Sequence, residues 1–308
     1  MRPTTVSDGT SLRLKAIGVL LSLFVGAALA TLGLLPWLIT GMRLLLQNLW
    51  AVQTPPEQMP IALLPFSQYA LTLLVAMIVM GSGLAGCFAR ATRANLGRSA
   101  PGAITVGVVV VQAIAVVQTT LTLSRGLSET STAELYLTAL VAGTVAAILI
   151  GILVLLLIAR PPKAGAAVGL SIAGVLAGAW LGGIILPFGT VATDSHTVLL
   201  GALRWLPAII VGLAVVWCGF GTSGKLFAVV GSLLVLWIGP AAFTAISAAA
   251  GTRVLAGRPA EMAAYGAQVF GGALGFRGGS LALVVLAVIV VVLGIAMRRL
   301  DRRRRPVG

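Results

Sequence analysis

Charge is scarce in this sequence: only 9% of its 308 residues are Asp, Glu, Lys or Arg, against roughly a quarter in ordinary soluble domains. A water-soluble fold of that composition could not cover its own surface. The metal-binding side chains are equally few, with one histidine (His196), two cysteines (Cys87 and Cys218) and seven carboxylates spread over distant regions. Nothing in their spacing reads as a ligand cluster, so no metal and no cofactor is expected. A glycine-rich phosphate loop ending in Lys-Ser or Lys-Thr is also missing, so nucleotide-driven work would need an ATPase as a partner subunit. The apolar segments lack period-2 alternation, which argues against a barrel.

What the chain has instead is hydrocarbon: 59% of its residues are hydrophobic, in long uninterrupted blocks, and the mean hydropathy is +1.08. The block Leu281 to Met297 reaches roughly 26 Å as a helix and so nearly crosses a hydrocarbon core of about 30 Å. Backbone groups in lipid must be satisfied internally, which helices do. Eight such spans are predicted, at 16–39, 64–88, 103–123, 135–159, 166–187, 199–220, 226–247 and 280–297. The expected fold is therefore an all-α integral membrane bundle of eight transmembrane helices, one domain over residues 1–308. Arg204 intrudes on the sixth span, and starting the transmembrane helix near Leu203 or Trp205 leaves that cation at the interface.

Eight crossings put both termini on one side, together with the loops near 90–98, 160–163 and 225. That side carries 15 Lys and Arg against six on the other, so both ends are predicted to be cytoplasmic. Charge confined to short flanking loops also accounts for the net charge of +14 without nucleic acid. A basic start, an apolar run and "ALA" at 28–30 resemble a signal peptide, but the run continues through Leu35, which favours an uncleaved first helix. The preference for Arg over Lys, with heavy Ala, Gly and Val, associates the chain with a bacterial plasma membrane.

The first and fifth spans echo each other. Residues from Ala16 and from Ala167 align without a gap at an offset of 151 and finish in Leu35-Pro36-Trp37 and Leu186-Pro187-Phe188. The following spans open with Leu64-Pro65 and Leu206-Pro207. A 4+4 parallel internal repeat is the expectation, with halves 16–160 and 166–299. Within the fifth span Gly174, Gly178 and Gly182 form one stripe, read as a surface on which a neighbouring helix packs closely. Similar ridges run through Gly18, Ser22, Gly26 and Ala30, and through Gly143, Ala147 and Gly151.

The search for chemistry yields little. "GTSG" at 221–224 fits the G-x-S-G pattern around the nucleophile of rhomboid-type intramembrane serine proteases. The required base is misplaced, because His196 precedes Ser223 by 27 residues of mostly helix, roughly 40 Å of rise. A tight turn into the seventh span explains the glycines better. No Asp, Glu, Lys or His is predicted inside a span, which argues against a proton antiporter and, more broadly, against an enzyme. The neutral polar groups gather on the third span, where Gln112, Thr119 and Thr122 share a face with Gln118 alongside. Two readings stand for that face, an interhelical hydrogen-bonding surface or the lining of a pathway.

Two loop segments, 41–50 and 251–279, are read as short helices that lie on the outer interface or cap the bundle, the second with Met262, Tyr265 and Val269 on its apolar edge; such caps gate a site or cover helix ends. The tail 298–308 is basic: Arg298, Arg299, Arg302, Arg303, Arg304 and Arg305 stop transfer and are candidates to contact anionic lipid or an acidic partner. The functional expectation is a permease-like transporter of a small or lipidic solute. The alternative is a non-catalytic membrane subunit that scaffolds or regulates a partner complex.

Overall fold

The computed structural model describes residues 7–94, 97, 99–160, 162–252, 258–275 and 278–304, with backbone alone over 7–15 and 302–304. These residues form helices α1 (Ser7–Gly33), α2 (Leu35–Leu38), α3 (Leu71–Thr92), α4 (Ala100–Gly126), α5 (Ser131–Ala159) and α6 (Lys163–Ile185). There follow α7 (Asp194–Leu203), α8 (Leu206–Cys218), α9 (Ser223–Gly251), α10 (Pro259–Leu274) and α11 (Ser280–Arg304). Eight helical stretches are long and apolar enough to cross a membrane, with α7 and α8 together making the sixth. The architecture is the all-helical, polytopic bundle that the hydropathy dictates.

Proline and one cation set the breaks. Pro36 has no N–H to donate, so the first span ends at Gly33 and restarts as the short α2, with its proline in the first turn. The sixth span breaks at Arg204 and Trp205, and α8 restarts with Pro207 in its first turn. Arg204 stacks on the Trp205 ring at 4.6 Å. Pro240 lies inside α9, where Thr244 Oγ1 donates back to the Pro240 carbonyl at 2.9 Å. The second span starts at Leu71 rather than residue 64, because Leu64 to Ser67 are irregular and fully buried beneath the preceding loop.

The spans pack as two quartets. In the first, α1 contacts α3 and α4, α3 contacts α4 and α5, and α4 contacts α5; in the second, α6 contacts α8 and α9, α8 contacts α9 and α11, and α9 contacts α11. Matched in chain order, these two sets of neighbours are identical. The quartets meet chiefly where α6 lies against α3 and α5. The likeness is one of adjacency, because at the offset of 151 the exposed Phe24 would correspond to Val175, which packs on Gly239 of α9.

Absent side chains allow the tightest crossings. A Cβ on Gly26 would overlap the Ile104 carbonyl, and one on Gly107 the Leu23 carbonyl, so α1 and α4 touch backbone to backbone. Gly33 meets Gly81 of α3 in the same way, at 2.6 Å from an added Cβ. Such contacts replace the hydrophobic driving force that lipid does not supply.

Helix α10 runs beside the second half of α9 rather than flat on a surface. Met262, Gly266 and Phe270 face Ala242, Ala245 and Ala249, and Trp237 Nε1 donates to the Leu274 carbonyl at 3.1 Å near the middle of α9. Residues 41–50 form no helix: they run as turns and extended chain, with isolated bridges Arg43↔Ile61 and Trp50↔Leu127. We call the end of the bundle carrying Arg90, Lys163, Lys225 and Arg298 the basic end, and the opposite one the cap end.

Candidate functional site

The segment between α2 and α3 is a cap built into the core. Leu44, Met59, Ala62, Leu64 and Phe66 are all buried to within 2% of full burial, in one cluster with Trp37, Leu123 and Leu140. Backbone so deeply placed must find partners, and several come from the helices. Trp37 Nε1 donates to the Ala62 carbonyl at 2.7 Å. From α4, Gln118 Oε1 accepts the Leu63 N–H at 2.9 Å and Thr119 Oγ1 accepts the Leu64 N–H at 3.0 Å. Gln118 Nε2 donates to the Ile61 carbonyl at 3.0 Å and to Thr122 Oγ1 at 3.1 Å.

The other rim is fastened at the far end of α4. Ala51 N–H donates to the Gly126 carbonyl and Ser128 N–H to the Leu49 carbonyl. The Trp50 ring lies where any side chain on Gly126 would be. Gln47 is fully engaged: its Nε2 donates to the Leu45 and Phe66 carbonyls, and its Oε1 accepts from Tyr136 Oη at 2.8 Å.

Within the cap, against Trp37 of α2 and the α6–α7 connection, opens a cleft of about 780 Å³. Trp50, Arg43, Asn48, Gln53, Tyr69 and Phe188 line it, the last from the α6–α7 connection. Arg43 donates through one guanidinium nitrogen to the Met59 carbonyl at 3.2 Å, and Asn48 Nδ2 donates to Tyr69 Oη at 3.2 Å. Aromatic faces, an amide and a cation on a half-open surface are the ingredients of a polar recognition site.

The polar residues singled out on the third span divide between two tasks. Gln118 and Thr119 hold the cap, and Thr122 holds the Gln118 amide. Gln112 lies deeper and is buried, with Nε2 donating to the Ile78 carbonyl at 3.0 Å and to Ser82 Oγ at 3.1 Å. Gly151 of α5 leaves room for this group, since a Cβ there would stand 2.6 Å from Ser82 Oγ. Both partners of Gln112 belong to α3.

The glycine stripe of α6 faces the broken sixth span. Gly174 meets Ile210, at 2.7 Å from an added Cβ, whereas Gly178 and Gly182 have ordinary spacing to Leu203, Pro207 and Leu200. In the tail, Arg298 donates to the Val216 carbonyl at 2.6 Å and thereby caps α8. Arg299 is exposed, α11 carries the backbone of Arg302, Arg303 and Arg304, and Arg305 lies outside the described residues. His196 accepts the Thr193 N–H at 3.1 Å in the first turn of α7, while Ser223 opens α9 at the opposite end.

The cleft residues Arg43, Asn48, Trp50 and Tyr69 escaped the sequence reading, which took 41–50 for a helix. The usable signal was composition: a Trp, a Gln, an Asn and an Arg within ten residues that no period assigns to a helix face. Comparisons with protein-family models, curated proteins and solved structures find no match.

Proposed function

We propose that this protein is a non-catalytic membrane subunit whose cap receives a partner on the extracytoplasmic side of a bacterial plasma membrane. The single observation that carries the reading is the cleft of about 780 Å³ within the cap, with Arg43, Trp50 and Tyr69 on its walls. Its location follows the distribution of Lys and Arg, which makes the basic end cytoplasmic. Gln118 and Thr119 of the third span support the same reading, because they are spent on fixing the cap in place. A rigid cap presents its aromatic and amide groups at low entropic cost, as a docking surface requires.

The test is site-specific photocrosslinking in native membranes, with the photoreactive residue at Gln53 in the cleft and at lipid-facing Leu149 as the control. A discrete protein adduct from Gln53 and none from Leu149 is the expected result. Equal, diffuse labelling at both positions would overturn the reading.

A permease-like role is the second reading, and one feature favours it. Where the quartets meet, a cavity of about 340 Å³ is lined by Thr72, Pro240, Thr244 and Ser247, beside the proline inside α9. Thr72 Oγ1 and Ser247 Oγ share a hydrogen bond of 2.8 Å across it. Two like quartets hinged at such a site form the plan of a parallel-repeat carrier. Solute flux in liposomes that disappears in P240A and T72V/S247A variants would support it, and absence of flux for every solute class tried would count against it.

A further inference from the structure

Two cations converge on one indole at the basic end. The guanidinium carbon of Arg90, from α3, lies 4.8 Å from the centroid of the Trp217 ring, and the Lys163 Nζ, from α6, lies 5.4 Å from the same centroid. Arg90 is held there by donating to the carbonyls of Ile158 and Arg160 at 2.9 and 3.0 Å. Arg93 is within electrostatic reach of Arg90, while Lys163 and Lys225 are both within reach of Cys218. The sequence puts only two acids, Asp8 and Asp301, on this side of the chain.

Arg90 and Lys163, gathered on one ring, repel, and contact with an aromatic face returns only about 0.5–1 kcal/mol each at an exposed site. A bound anion would turn the repulsion into attraction. The backbone contributes to the same field. Helix α6 begins at Lys163 behind Pro162 and α9 begins at Ser223 behind Thr222, both without a side-chain cap, so two positive helix ends open at this face.

The surroundings identify the carrier of the anion. Trp217 is half-buried in the last turn of α8, the level at which indoles settle at a membrane interface. Next to Lys225, Leu226 and Phe227 are 51% and 78% exposed and offer an apolar surface continuous with the bilayer. A soluble phosphate needs cations alone, whereas a phospholipid needs cations at headgroup level above an apolar wall.

We propose that Arg90, Lys163 and Lys225 form a binding site for the phosphate of an anionic phospholipid headgroup, at the basic end where α3, α6, α8 and α9 come together. The cations assigned to the site are not those of the arginine tail, and the site does not depend on the role of the cap. A lipid bound there would bridge the two quartets.

Native mass spectrometry of the full-length protein from nanodiscs of mixed phosphatidylglycerol and phosphatidylcholine tests this. The wild type is expected to retain phosphatidylglycerol selectively. K163Q/K225Q, which leaves the helix-capping bonds of Arg90 intact, is expected to lose roughly tenfold or more of that retention, given about 1 kcal/mol per cation near an anionic headgroup. K163R/K225R should restore it, and R302Q/R303Q/R304Q should leave it unchanged. Equal retention of both lipids, or full retention by a folded K163Q/K225Q, would overturn the proposal. Displacement of the lipid by millimolar inorganic phosphate would overturn it too, by assigning the cluster to a soluble anion.

Discussion

Gln118 grips the peptide of Leu63 across the boundary between helix and cap, its Oε1 accepting the Leu63 N–H at 2.9 Å. The same amide donates to the Ile61 carbonyl at 3.0 Å, so one side chain fixes residues 61 to 63 of the irregular backbone. Replacing it with leucine strands a half-buried donor, at a cost of about 1–3 kcal/mol. Q118L should therefore unfold at a lower temperature in detergent. Hydrogen exchange over residues 59–66 should accelerate, while α3 and α5 stay protected. Uniform acceleration throughout the bundle would show that the amide does not act locally on the cap.

Backbone contact between α1 and α4 gives a second expectation. G107A forces a methyl into the Leu23 carbonyl and G26A one into the Ile104 carbonyl. No side chain can rotate away to relieve either, so each should cost at least about 2 kcal/mol, the range of overpacked cores. Gly18 and Gly143 have nothing within 4 Å of an added Cβ, and G18A and G143A should be neutral or stabilising by up to about 1 kcal/mol. Thermal denaturation of the four variants, measured side by side, checks the contrast.

Those four glycines also mark how far the sequence could be read. Spacing alone placed Gly18 and Gly26 on one ridge and treated them alike, yet one faces open space and the other a carbonyl. Periodicity reports which residues share a face but not what that face meets. The number of spans was legible because each rests on local composition, and the break at Arg204 was legible because a cation in hydrocarbon is costly. The cap was not. Its fold depends on contacts such as Trp37 to Ala62 and Gln118 to Leu63, which join positions 25 and 55 residues apart. Gln118, Thr119 and Thr122 form a polar face in need of partners, and only the fold shows the partners of Gln118 and Thr119 to be loop backbone, with Thr122 accepting from Gln118.

Burial separates two serines that the sequence treats alike. Ser82 is fully buried beside Gln112 and Gly151, whereas Ser247 lines the cavity between the quartets. In a C87S/C218A background, S247C should react with a membrane-impermeant maleimide added from the cap end and S82C should not. A thiol reacts only as the thiolate, so labelling requires water as well as space. An unreactive S247C would mean that lipid fills the cavity, which would weaken the permease reading and leave the cap reading untouched.

The cap can be loosened at its rim without touching the cleft's polar groups. Trp50 lies directly over Gly126, the place a side chain there would occupy, and the neighbouring Ala51 N–H donates to the Gly126 carbonyl. In G126L the new side chain evicts the indole and strains the adjoining hydrogen bond, while Arg43, Asn48 and Tyr69 remain chemically intact. The spans are fixed by their own helix contacts, so the variant should still insert and purify. Its crosslinking from Gln53 should fall severalfold relative to the wild type, because preorganisation of the aromatic wall is lost. W50F, which keeps a ring over Gly126, should retain most of the adduct. If G126L crosslinks as well as the wild type, the cleft geometry plays no part in holding a partner and the docking role of the cap fails.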